Sequence, residues 1–146
     1  NTRDLSRFKL FLSDTGLFVT LMFKDKDFTE NEIYQKLLND KLSVNLGYLY
    51  ENIVAQCLAA NGNELFYHTF INKSSKHNYE IDFILAKRNK IIPIEVKSSG
   101  YKAHKSLDVF TKKYSSRILK RYLVYTKDMN KDQDIFCIPV YMVPFL

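Results

Sequence analysis

The run Ile91-Ile92-Pro93-Ile94-Glu95-Val96-Lys97 constrains the fold more than any other stretch, because so many apolar side chains in so short a segment suit a buried strand. A buried strand needs partners, and the sequence supplies them on both sides. Glu64 to Ile71 and Tyr79 to Ala86 are strand-like runs separated by polar turns, so with Ile91 to Lys97 they predict a three-stranded antiparallel meander. Before it, Leu46, Leu49, Tyr50, Ile53, Cys57 and Ala60 recur at the helical period within Ser43 to Ala60, and Asn61-Gly62 supplies a stop. After it, Ala103 to Tyr114 places Leu107, Phe110 and Tyr114 on one helical face. Leu119 to Thr126 then suits a buried strand, which a right-handed crossover sets parallel to the third. A final strand, Ile135 to Val143, contains Pro139 and is expected at an edge.

The first forty residues read differently. Lys9 to Leu12 suits a short strand, Asp14-Thr15-Gly16 a turn or helix start, and Leu17 to Phe23 a short buried helix. We therefore expect an α/β chain with residues 1–42 as an N-terminal segment of short helices and 43–146 as the main domain, together one compact unit. The start at Asn1 without Met reads as a fragment cut from a longer polypeptide.

Strand alternation places Ile81, Phe83 and Leu85 on one face and Glu80 and Asp82 on the other, and likewise groups Glu95 with Lys97. A turn centred on Arg88-Asn89 sets Asp82 opposite Glu95 and Glu80 opposite Lys97. Like charges opposed in a sheet repel, so the acid pair requires a cation: Lys97, a divalent metal, or both. Hard cations such as Mg²⁺ take oxygen ligands, and an Asp plus a Glu suffices for an ion that also binds phosphate. The bland alternative is a solvated sheet face with ordinary ion pairs. Position argues against it, since Lys97 ends a buried strand and Ser98-Ser99-Gly100 opens a loop there.

Charge is unevenly spread. The chain carries a formal charge of +6, yet from Asn1 to Val96 twelve basic residues balance twelve acidic ones, so the whole excess lies beyond Val96. Lys102, Lys105, Lys112, Lys113, Arg117, Lys120 and Arg121 form a basic segment suited to a phosphate backbone, with a solvated helix face as the plain alternative. Cys57 and Cys137 lie too far apart for a metal-binding pair and read as small buried hydrophobes, which favours a reducing, cytoplasmic setting. His68, His77 and His104 show no ligand spacing and receive no role. No apolar run reaches the length of a membrane span, so no membrane partner is expected.

An Asp followed, after a hairpin, by Glu-x-Lys, with an acidic helix before them, resembles the PD-(D/E)xK nuclease superfamily, and the element order matches its restriction-endonuclease-like αβββαβ core. The resemblance implies a mixed sheet flanked by helices, with Asp82 and Glu95 binding Mg²⁺ or Mn²⁺, Lys97 serving the attacking water and Glu51 completing the site. Ile81 stands where the superfamily has Pro.

A further resemblance spans nearly the whole chain. Phe11-Leu12-Ser13-Asp14-Thr15-Gly16-Leu17, Gly47-Tyr48-Leu49-Tyr50-Glu51-Asn52, Glu80-Ile81-Asp82-Phe83, Pro93-Ile94-Glu95-Val96-Lys97-Ser98 and Lys105-Ser106-Leu107-Asp108-Val109-Phe110 resemble the uncharacterised C-terminal domain of prokaryotic AAA+-type ATPases. That implies an ATPase domain upstream in the same polypeptide, while this chain has no Gly-rich phosphate loop of its own. Two functions follow as expectations. One is a Mg²⁺-dependent nuclease-like domain acting on DNA. The other is a catalytically weak or inactive module that binds nucleic acid or a partner for the ATPase.

Overall fold

The computed structural model describes residues 8–24, 32, 35, 46–73 and 76–146. Its centre is a six-stranded mixed sheet, ordered β1-β2-β3-β4-β6-β5. The strands are β1 (Phe66–Phe70), β2 (Tyr79–Lys87), β3 (Lys90–Val96), β4 (Arg121–Tyr125), β5 (Asn130–Asp132) and β6 (Ile135–Pro139). The first three form an antiparallel meander, β3 pairs β4 in parallel, and β4 pairs β6 in parallel. Helices α2 (Leu46–Ala60) and α3 (Lys105–Tyr114) cover the two faces of the sheet, and α1 (Thr15–Phe23) packs on α2. The part of the expected first helix before Leu46 lies outside the described residues.

Burial on both faces explains the apolar β3. On one face Phe83, Leu85, Ile92, Ile94, Val124 and Ile138 pack against Val54, Ala55 and Leu58 of α2. On the other, Ile81, Leu123, Tyr125, Ile135 and Cys137 pack against Leu107 and Phe110 of α3. A sheet covered on both sides must exclude polar side chains from its centre, so the polar groups of β2 and β3 gather where the strands separate.

Several local expectations are corrected. The buried side of α2 is Leu49, Asn52, Val54, Ala55 and Leu58, rotated from the expected stripe, because the helix packs on the sheet while also holding the N-terminal segment through Asn52. Residues 8–12 form no strand. Asp14 does start a helix, its side chain accepting the Leu17 N–H at 2.7 Å. That helix is not buried: only Phe23 is, and Leu17 and Leu21 are about half exposed. Strand β6 is not an edge, because the short β5 covers it. Pro139 is tolerated because the β5 ladder stops at Cys137, leaving no partner there for the N–H that Pro lacks. Val140–Phe145 leaves the strand as a 3-10 segment and packs on α2, where the Asn61 amide donates to the Pro144 carbonyl at 2.6 Å.

Candidate active site

The turn between β2 and β3 is the two-residue Arg88-Asn89, and pairs Lys87 with Lys90 through Phe83 with Ile94 hold the expected register. The pairing then stops. Beyond Phe83 and Ile94 the strands part, and the Lys97 N–H turns to the Val124 carbonyl of β4 at 2.8 Å. In the gap, Asp82 Oδ2 accepts the Val96 N–H at 2.8 Å, so a side chain takes the place of the missing ladder carbonyl.

A bulge reorients Asp82. On β1 the partner sequence steps from Phe66 with Ile84 to His68 with Ile81, so Asp82 and Phe83 together oppose the single residue Tyr67. Strict alternation therefore fails across this point. Ile81 packs with the α3 cluster, whereas Phe83 and Leu85 pack with the α2 cluster, which corrects the expectation that all three share a face. Asp82 is turned toward α2, and its Oδ1 faces the Lys9 ammonium at 3.5 Å.

Lys9 is the residue that sequence reasoning missed. Its Nζ contacts Glu51 Oε2 at 3.1 Å, Asp82 Oδ1, and Glu80 Oε1. Three carboxylates from two elements thus converge on one ammonium from the N-terminal segment. Burial by itself would lower the Lys9 pKa, but hydrogen bonding to Glu80 and the charges of Asp82 and Glu51 outweigh it and hold the group protonated well above the ordinary lysine value. Asp82 moves the opposite way. Burial and the Glu51 charge push it up to about 7, with Glu95 adding to the rise and the Val96 N–H and Lys9 opposing it.

Glu95 and Lys97 form the neighbouring half of the site. Lys97 Nζ lies 2.8 Å from Glu95 Oε1, as expected for side chains two apart on one strand. Glu95 is buried, and its second oxygen has no hydrogen-bond partner. The expected set is therefore split. Glu51 and Asp82 meet around Lys9 together with Glu80, while Glu95 and Lys97 pair beside them. Asp82 and Glu95 are coupled through the Val96 N–H and by charge, rather than as a flat cross-strand pair. Among the described residues no three His, Cys, Asp or Glu side chains are grouped so as to hold a metal ion.

The basic segment divides as well. Lys102, Lys105, Lys112, Lys113, Arg117 and Lys120 are exposed. Arg121 is buried, bonded to Asp108 at 2.8 Å and to Asp134, which corrects its expected place on a phosphate-binding surface. Its charge is committed inside the protein. His104 Nδ1 joins the same network at 2.9 Å from Asp108 Oδ2, which gives a residue without an expected role a structural one. Burial raises the thiol pKa of both Cys57 and Cys137, as suits apolar packing rather than reactivity. A cavity of about 570 Å³ lies elsewhere, at the turn end of β2 and β3, lined by Leu85, Arg88, Ile92 and Tyr122 among others. No helix among the described residues is long and apolar enough to cross a membrane.

With this geometry in place, comparison with known families matches a domain of unknown function, DUF4143, over residues 46–143. The chain belongs to the DUF4143 family. The matched span runs from α2 to the C-terminal 3-10 segment and so contains Glu51, Glu80, Asp82, Glu95 and Lys97, while Lys9 precedes it. Comparison with curated proteins and with solved structures gives no match.

Proposed function

We propose that this chain is a Mg²⁺-dependent nuclease-like domain acting on DNA, with a restriction-endonuclease-like core, carried as the C-terminal module of an AAA+-type ATPase. The observation that supports it most is the concentration of Asp82, Glu95 and Lys97 where β2 and β3 part, with Glu51 of α2 beside Asp82. The donors suit a hard cation. Asp82 and Glu95 offer carboxylate oxygens, and Glu95 Oε2 is a buried acceptor for which a cation would be the missing partner. Those two residues would hold the ion, with Glu51 beside Asp82 as a catalytic carboxylate rather than a third ligand, since no three such side chains among the described residues are grouped as a metal site.

When bound, the ion supplies positive charge beside a phosphodiester and eases deprotonation of water. The chain's own groups do the rest. Lys97 sits at the exit of β3, where its ammonium can hydrogen-bond the attacking water or a phosphate oxygen while Glu95 fixes its position. The exposed lysines of the α3 region, outside this pocket, would retain the DNA backbone.

Supercoiled plasmid and branched DNA, incubated with the protein in Mg²⁺ or Mn²⁺, test this reading. Cleavage by the wild type that falls by at least about a hundredfold in Asp82→Ala and Lys97→Ala is expected, since each removes a group that acts on the reacting atoms. Equal product from wild type and Asp82→Ala would overturn it. A second reading, a binding module without catalysis, is favoured by one observation: Lys9 already occupies the acid cluster. DNA retention without cleavage would select it.

A further inference from the structure

The acid site lies at one end of β3, and the cavity of about 570 Å³ lies at the other, with no part in the chemistry proposed above. From Lys90 at its edge to Val96 beside Asp82 is six residues of strand, or about 20 Å at the ordinary rise. Its floor is apolar. Leu85 and Ile92 belong to the core packed on α2, and Tyr122 packs against that core. Phe145 of the 3-10 segment and Leu119 also line it, although they are 78% and 52% exposed. An apolar cavity of this size, with a few polar groups at its edge, suits a small organic ligand.

The rim is cationic. Lys87, Arg88, Lys90 and Lys120 line it, and none of the described lining residues is Asp or Glu. Lys90 donates to the Ser116 carbonyl, and Lys120 Nζ lies 5.5 Å from the Phe136 ring centroid, but neither contact neutralises a charge. Arg88 has a φ of 57°, in the left-handed region where glycine sits without strain and a long side chain does not. Glycine or asparagine would make the same turn at lower cost, so the arginine is explained by its side chain rather than by its backbone.

These groups select one class of ligand. Four cations exceed what the single carboxylate of a fatty acid balances, whereas a phosphate group brings several negative charges and accepts paired hydrogen bonds from a guanidinium. Phosphate alone would leave the apolar floor in water. A planar ring covers it, with Tyr122 and Phe145 as aromatic surfaces for stacking. Asn89 lines the cavity too, and its amide offers an acceptor and donors to the polar edge of such a ring. We propose that this cavity binds a nucleoside phosphate, free or as the phosphorylated end of a nucleic-acid strand, with Arg88 on the phosphate. The site stands apart from the nuclease reading, since no residue of the acid site takes part.

Calorimetric titration without divalent metal tests this with ADP, GDP, CDP and UDP, the matching nucleosides, pyrophosphate, and a short 5′-phosphorylated single DNA strand. At least one diphosphate is expected to bind at least about tenfold more tightly than its nucleoside and than pyrophosphate, because ring and phosphate contacts act together. Arg88→Gly is expected to weaken that binding at least about tenfold while melting no lower than the wild type, since glycine relieves the turn. Lys127→Ala removes a cation that sits over the Tyr101 ring, outside the cavity, and is expected to leave the affinity unchanged. Tighter binding of the strand than of any free nucleotide, lost in Arg88→Gly, assigns the site to nucleic-acid ends; weaker binding of the strand assigns it to free nucleotides. No binding of any diphosphate, pyrophosphate binding as tightly as the nucleotides, or equal losses in Arg88→Gly and Lys127→Ala overturns the proposal. Should Arg88→Gly fail to fold, Lys87→Ala combined with Lys120→Ala is read by the same tenfold criterion.

Discussion

At the scale of single residues, two of the three buried polar atoms without partners among the described residues, Glu95 Oε2 and His68 Nε2, are orphaned in different surroundings. Glu95 Oε2 belongs to the acid site, and its orphaned oxygen is part of the case for a cation there. His68 Nε2 is orphaned for another reason: the ring is wedged among Phe70, Phe110 and Tyr114 at centroid distances of 5.7, 5.7 and 6.0 Å. Burial, and then the Lys113 charge, hold the His68 pKa below the ordinary histidine value. The unfolded chain takes up this proton near pH ~6.5, while the folded chain resists it to lower pH. The stability due to neutral His68 is therefore present above that pH and is lost as pH falls through the folded value. Thermal melts should show the wild type losing more stability between pH 7 and pH 5 than His68→Phe, with the variant more stable by about 1 kcal/mol at pH 7 because no acceptor or donor is left unpaired. Parallel pH profiles would remove the assignment.

At the scale of elements, α2 links the sheet to the N-terminal segment through neighbouring residues. Val54, Ala55 and Leu58 face the sheet, Glu51 faces Lys9, and Asn52 clamps Leu12 and reaches Thr15 Oγ1 at 3.1 Å. An asparagine is needed because it offers an acceptor and donors together, matching both backbone groups of Leu12. Asn52→Ala leaves those groups unpaired in a partly buried setting and is expected to cost about 2–3 kcal/mol in urea denaturation. Loss of under about 0.5 kcal/mol would show that the clamp is idle. The existence of α2 and of the strands it packs on was readable from apolar periodicity, which reports which side chains avoid water, whereas the strand expected at Lys9 to Leu12 does not form. Asn52 was not readable, since a buried amide looks like a surface residue until its partners are known. The β2 bulge was equally hidden: alternation predicts a flat strand, and the extra residue opposite Tyr67 is set by how β1 and β2 accommodate each other.

At the scale of the whole molecule, a neutral amino-terminal part carries a basic carboxy-terminal part, and the fold decides which of those charges reach solvent. With Arg121 committed to Asp108 and Asp134, six expected contacts remain exposed: Lys102, Lys105, Lys112, Lys113, Arg117 and Lys120. If DNA engages all six, log affinity against log salt should fall with a slope of about −5, and Lys112→Ala with Lys113→Ala should reduce its magnitude by about 2. A slope unchanged by the double substitution would place the DNA elsewhere or remove it as a partner. The sequence by itself determined the order of α2, β1, β2, β3, α3, β4 and β6, though not the short β5, and it determined the turn at Arg88-Asn89, the register from there to Phe83 and Ile94 and the pairing of Glu95 with Lys97, because these depend on periodicity and spacing along one chain or between neighbouring strands. Tertiary structure alone decided that Lys9 reaches Glu51, Glu80 and Asp82 from far along the chain, that Asp82 turns toward α2, and that Arg121 is buried. Such charge contacts leave no period in the sequence; they arise only once burial has fixed which segments meet.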